Sequence, residues 1–203
     1  MVGDGPAVSN TFKRNLNSMS FFIRSDGWAR EARKIASPNF DSRPAWLAID
    51  LLVIHCISLP RGQYGGSSVA DLFTNQLDLA SHPSFGDLNG VKVSSHFLIR
   101  RDGELVQFVS CLNRAWHAGT SHWRGRARCN DFSIGVELEG VDDERFTLEQ
   151  YAVLKDLQRA LQARYPLRAI AGHSDIAPGR KTDPGLYFDW GLADQGLPRD
   201  ASS

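Results

Sequence analysis

Apolar residues recur along this chain at two different spacings, and the spacings outline its elements. Leu47–Ser58 is a short run of Leu, Ile and Val interrupted by Asp50 and His55. A run of that length and composition predicts a strand buried on both faces. In Phe132–Leu138 the apolar Phe132, Ile134, Val136 and Leu138 alternate with small or polar residues, which predicts a second strand. Successive side chains on a strand point to opposite faces, so Glu137 shares a face with Ser133 and Gly135. A carboxylate beside such small neighbours has room in front of it. Ser95–Arg100 and Leu105–Val109 flank Arg101-Asp102-Gly103-Glu104. Asp-Gly between two apolar runs predicts a hairpin. Ala169–Ala171 is a further short strand.

Helical spacing appears twice. Val69, Leu72, Phe73 and Leu77 predict a helix within Ser67–Leu79, capped by Ser67 or Ser68. In Thr147–Tyr165 the apolar residues Leu154, Leu157, Leu161 and Tyr165 share one helical face. Thr147 and Gln150 have the spacing of a capping box, and Pro166 stops the helix. Trp28–Pro44, with prolines at 38 and 44, reads as an irregular segment wrapping the surface, and Pro60–Ser67 as a loop. Strands mixed with helices predict one α/β domain with a central mixed β-sheet flanked by helices. Residues 1–19 read as a polar leader and 20–203 as that domain.

Composition narrows the function. The chain is 42% hydrophobic, enough for a core without disulfides. Its 23 basic residues equal its 23 acidic ones, without the excess that a broad nucleic-acid-binding face brings. No run reaches the roughly 20 apolar residues of a membrane-spanning helix. Met1–Asn10 carries no apolar secretory region, so a cytoplasmic location is expected. Cys56, Cys111 and Cys129 are scattered, with no CxxC pair. That argues against a disulfide framework or a four-cysteine zinc site and fits a reducing compartment.

Two of the six histidines stand where α/β sheets place their sites. His55 lies at the end of one strand, and His173 opens a long polar loop after another. From His173 to Asp183 the chain brings together an imidazole, Lys181 and a carboxylate, framed by Pro178, Gly179, Pro184 and Gly185. Proline and glycine can hold such a loop in a fixed, unusual shape. Taken alone, each histidine reads first as a structural one bonded to backbone, and the loop as ordinary surface. The distance between His55 and His173 along the chain, without HExxH, is not a zinc motif.

Five blocks in order change that weighting. They are Leu52–Pro60, Val93–Gly103, Arg114–Gly119, Arg128–Gly140 and Gly172–Gly185, preceded by Gly27-Trp28. Together they resemble the N-acetylmuramoyl-L-alanine amidases of the type-2 amidase superfamily over nearly the whole chain. The resemblance implies a Zn²⁺ ion held by His55, His173 and Asp183, with a fourth position left for water. It implies Glu137 as general base and Lys181 as the donor to the tetrahedral oxyanion. It places substrate contacts at Trp116, His117 and Arg128, and also at Cys56 and Lys92, where relatives carry asparagine and arginine. The implied reaction hydrolyses the amide joining (1,6-anhydro)-N-acetylmuramic acid to L-alanine in a small soluble muropeptide, in cytoplasmic peptidoglycan recycling. It implies no nucleic acid, membrane or obligate protein partner.

Other readings stay open at this point. Trp116 serves equally well as a platform for a sugar or as a core residue. Arg124, Arg126 and Arg128 alternate, so an extended segment puts all three on one side, the first two as a solvated strip. His96 reads as structural and His122 as surface. A non-catalytic peptidoglycan-binding module and an amidase of polymeric wall compete with the soluble-substrate reading. A Cys56–His55 hydrolase is disfavoured because adjacent residues on a regular strand face opposite ways.

Overall fold

In a computed structural model, which describes residues 20–200, the two strand-like segments become neighbours in one sheet. The expected leader at 1–19 lies outside the described residues. Strand β3 (Leu51–Ile57) and strand β9 (Ser133–Glu139) pair in parallel over their full lengths, Leu51 opposite Ser133 and His55 opposite Glu137. Outside β9 lie β4 (Phe97–Ile99), parallel to it, and β5 (Leu105–Gln107), antiparallel to β4. Beyond β3 lies β10 (Ala169–Gly172), parallel to it. With β1 (Arg33–Lys34) the order is β1-β5-β4-β9-β3-β10, a mixed six-stranded sheet.

The predicted hairpin is β4 and β5. Its turn closes through the Gly103 amide on the Arg100 carbonyl at 2.9 Å. Gly103 sits at φ +84°, a backbone state that glycine adopts without steric cost.

Each face of the sheet is covered. Helix α2 (Leu148–Arg164) lays Leu154, Leu157 and Leu161 on Leu52, Ile54, Ile134, Val136 and Leu138, all fully buried. Its capping box is formed: the Thr147 hydroxyl accepts the Gln150 amide, and the Gln150 carboxamide oxygen accepts the Thr147 amide. On the opposite face two apolar clusters cover the two ends. One packs Ala118, Trp123, Cys129 and Phe132 on Leu51 and Val53. The other packs helix α1 (Ser68–Phe73) through Val69, Leu72 and Phe73 on Leu98 and Val106.

Three expectations need correction. Trp28–Pro44 is not wholly irregular: β1 extends the sheet edge along β5, and β2 (Phe40–Ser42) pairs with β6 (Asn113–Ala115). Such short strands leave little periodicity to read. The helix of Ser67–Leu79 ends at Phe73, where the Thr74 hydroxyl takes the Ala70 carbonyl and Asn75 turns to φ +60°. Ser67 does stand at the N-cap as expected, without a side-chain capping hydrogen bond. His173 opens not a loop but a one-turn helix, α3 (His173–Ile176), held by the Asp175 carboxylate accepting the Gly172 amide at 2.7 Å.

Gln150 connects these layers. Its buried amide nitrogen donates to the Ile99 and Glu139 carbonyls, on β4 and β9, at 3.1 and 3.0 Å. Gln150→Ala removes the donor to both carbonyls and the side-chain half of the capping box, the acceptor of the Thr147 amide, in a dry site. It is expected to cost about 2–4 kcal/mol, read from the urea midpoint at unchanged slope. A loss below about 1 kcal/mol would mean that water replaces the amide.

Candidate metal centre and active site

Register brings His55 on β3 level with Glu137 on β9, on the face they share with Ser133 and Gly135. β10 runs beside β3 with Gly172 opposite Ile54, so His173, the next residue, emerges beside His55. The chain then doubles back, and the Ser174 amide donates to the Asp183 carbonyl at 2.8 Å. Arg180 ties this loop to the 118–120 segment by donating to the Ala118 and Thr120 carbonyls at 2.7 and 2.6 Å. At the far side the Thr182 hydroxyl donates to Asp142, whose other oxygen takes Arg61 at 2.8 Å.

Three ligand atoms converge as a result. His55 Nδ1 lies 3.0 Å from His173 Nδ1 and 3.2 Å from Asp183 Oδ2, and His173 Nδ1 lies 3.0 Å from that same oxygen. A tetrahedral zinc with bonds near 2.0–2.1 Å holds its ligand atoms about 3.3 Å apart. The donor set therefore has the spacing of one small ion. His173 Nε2 sits 3.1 Å from the Ala118 carbonyl, which only accepts, so that nitrogen carries the proton and Nδ1 is bare. Burial, then the neighbouring His173, lowers the pKa of His55 to about 4, which keeps it neutral, the form a metal binds.

Glu137 is buried beside this cluster, and its Oε2 has no hydrogen-bond partner among the described residues. Burial first, and the Asp183 charge second, push its carboxyl well above the usual range, while Lys181 pulls the other way. An orphaned carboxylate oxygen next to three converging ligands is what a proton acceptor for a substrate water needs. Lys181 is exposed on the returning loop. An open depression of about 400 Å³ adjoins the cluster, bordered by Cys56, Arg61, Asp142, Lys181 and Asp183.

Cys56 packs part of its side chain against the core on the other side of the sheet, and burial pushes its thiol pKa up. It offers no ready thiolate to His55, which removes the thiol-hydrolase reading. Trp116 is half-buried, with the Ser94 hydroxyl accepting its backbone amide at 3.0 Å, and its side chain helps Arg114 hold the Asp41 carboxyl below the usual range. Arg114 forks onto Asp41 and reaches Asp131, and Arg128 meets Asp131 at 3.2 Å. Trp116 and Arg128 therefore border one charged network. Lys92 is exposed near a separate depression with Leu72, Leu77 and Leu88. His117 is buried with its Nδ1 2.9 Å from His55 Nε2. His96 is structural, accepting the Gly135 amide, and His122 is exposed.

The alternating arginines do not share a side. Arg124 and Gly125 form the turn of a hairpin, β7 (His122–Trp123) with β8 (Arg126–Ala127), and Arg128 sits at φ +63°. Arg126 is no solvated strip residue: it pairs with Asp50 and lies over Phe132. Sequence reasoning also missed Arg43. Half-buried, it donates to the Cys111, Asn130, Asp131 and Ser133 carbonyls and so anchors the start of β9. Burial lowers its pKa to about 10. Carbonyls leave no residue-type signal, so no pattern could have found it.

Comparison with known proteins agrees with this geometry. Residues 45–186 match the N-acetylmuramoyl-L-alanine amidase family model, and the chain belongs to that family. It is an amidase. It is 52% identical over 170 residues to the 1,6-anhydro-N-acetylmuramyl-L-alanine amidase AmpD of Escherichia coli K12, covering 83% of this chain and 93% of that one. A selenomethionine AmpD crystal structure superposes with a TM-score of 0.81 at 50% identity, over 83% of this chain and 95% of that one. The E. coli amidase AmiD, solved with anhydro-N-acetylmuramic acid-L-Ala-D-γ-Glu-L-Lys, superposes at 0.54 and 31% identity, over 88% and 66% of the two chains.

The raised Glu137 carboxyl predicts a stability effect. Folded Glu137 keeps its proton above pH 4.5, where an unfolded glutamate loses it. The folded chain then binds more protons, so this group's contribution falls as pH rises. In the metal-free protein Glu137→Gln should therefore stabilise. Its advantage in melting temperature should widen as the pH is raised out of the ordinary glutamate range towards neutrality. An advantage that is flat over that rise would show Glu137 already ionised in the fold.

Proposed function

We propose that the protein is a zinc amidase that hydrolyses the bond between the lactyl group of (1,6-anhydro)-N-acetylmuramic acid and L-alanine in soluble muropeptides. The observation that carries this reading is the convergence of His55 Nδ1, His173 Nδ1 and Asp183 Oδ2 beside the unpartnered Oε2 of Glu137. Two imidazoles and one carboxylate suit zinc and leave a fourth position open, as catalytic rather than structural sites do. When bound, zinc supplies a water acidified to near neutral pKa and polarises the scissile carbonyl.

The chain's own groups do the rest. Burial raises the Glu137 carboxyl while the site is metal-free; the positive charge of a bound zinc would lower it again, and the ionised Glu137 takes the proton of the attacking water and passes it to the leaving alanine nitrogen. Its buried position keeps that proton from bulk solvent. The Lys181 ammonium, two residues before Asp183, stabilises the oxyanion that develops on the carbonyl oxygen. Arg128 and Trp116 border the network through which the sugar and stem-peptide carboxylates are gripped. Cys56 borders the depression at the cluster and stands in place of an amide, so it alters grip rather than chemistry, whereas Lys92 lies at a separate depression and makes no such contact. The AmpD relatives are named for the anhydro sugar, which supports the substrate. An intact ligand set with Glu137 and Lys181 counts against a non-catalytic binding module. Three free cysteines agree with a reducing cytoplasm.

A chelator should abolish hydrolysis and added zinc restore it; full turnover by metal-free protein would overturn the metal mechanism. Glu137→Gln should lower kcat about 10²–10⁴-fold while zinc stays bound, and Lys181→Ala about 10²–10³-fold. Cys56→Ser should keep most activity. Product masses from anhydromuropeptide and from intact sacculi decide between the soluble and the polymeric substrate.

A further inference from the structure

A metal binds only the bare nitrogen of a neutral imidazole, so something must choose which of the two carries the proton. For His173 the Ala118 carbonyl chooses. His55 Nε2 meets only another imidazole, His117 Nδ1 at 2.9 Å, which is able to donate or to accept. The choice therefore passes to the other end of His117.

There His117 Nε2 faces Ser133 Oγ at 3.3 Å. Ser133 Oγ lies 2.6 Å from the Cys129 carbonyl. A carbonyl has no proton to give, so the serine hydroxyl donates to Cys129 and shows His117 only lone pairs. His117 Nε2 must then carry its proton, which leaves Nδ1 bare. His117 Nδ1 accepts from His55 Nε2–H, and His55 Nδ1 is bare where it faces His173 and Asp183.

We propose that His117 is a positioning residue. It fixes the tautomer and ring angle of His55 through a directed chain of hydrogen bonds that ends on the Cys129 carbonyl. This rests on the metal reading of the cluster above. The fold has built a slot for the ring. A Cβ on Gly135 would fall 2.6 Å from His117 Cγ, so only glycine admits it there. His117 stands edge-on to His55, with centroids 5.0 Å apart at 84°. The carboxamide oxygen of Asn130 accepts the amides of His117 and Ala118 at 3.2 and 2.8 Å, which holds the segment in place. Ser133, Gly135 and Glu137 thus give one strand face three tasks: anchor, slot and base.

The test begins on metal-free protein with ¹⁵N-labelled histidine. Long-range ¹H–¹⁵N correlation should show His55 with its proton on Nε2 before any zinc is present. A proton on Nδ1 overturns the proposal. Zinc affinity, measured by competition with a chromophoric chelator, should fall about 10–100-fold in Ser133→Ala and in His117→Phe. His117→Gln should recover part of it, because a carboxamide both accepts from His55 and donates to Ser133. Circular dichroism and melting confirm that each variant is folded, and Ser133→Ala removes only one oxygen should the larger change not fold. Wild-type affinity in both Ser133→Ala and His117→Phe overturns the relay while leaving the metal reading intact. Failure of the wild-type protein to bind one zinc overturns the metal reading itself.

Discussion

In a parallel strand pair, residues in register lie on the same face roughly 4.8 Å apart, and the pairing of β3 with β9 sets everything at this site. It puts His55 beside Glu137 and aims both at one point. A slip of one residue would turn the imidazole into the core and bring Cys56 or Ile54 to the site instead. The slip is opposed by seven residues on each strand that are mostly or wholly buried, with Leu52, Ile54, Val136 and Leu138 packed under helix α2. Apolar packing on one face thus holds the polar chemistry on the other in place.

That polar face carries a cost. Between the two apolar clusters lies a seam of buried His55, His96, His117, Ser133 and Glu137, backed by the caged Arg43. Almost every nitrogen and oxygen in it is bonded, as buried polar groups require. Glu137 Oε2 is left without a partner among the described residues. A fold that leaves one acceptor dry and unpaired gives up stability at that atom, a trade that active sites commonly make.

Much of this was legible in the sequence, for reasons that differ by element. Phe132–Leu138 and Thr147–Tyr165 declared themselves because their periods are long and one face is buried. β1, β2 and β6 did not, because two or three residues carry no period. The cluster's residues were visible only through the order of five sequence blocks; spacing alone could not show that β10 lies against β3. Arg43 and the Arg61–Asp142–Thr182 bridge were silent, since they join positions far apart through carbonyls and surface charges. The arginine series misled because alternation was read on a straight segment, where the chain in fact turns at Arg124-Gly125.

The three converging residues come from two distant parts of the chain. His55 precedes His173 by 118 positions and Asp183 by 128. An ion held by them would cross-link early and late parts of the polypeptide, closing a long loop that only the folded sheet brings together. A chain made from its N-terminus cannot bring these residues together until helix α3 and the loop returning to Asp183 have been made and have docked. On the metal reading, the site is therefore complete only when the last-made part of the sheet and its loop are in place.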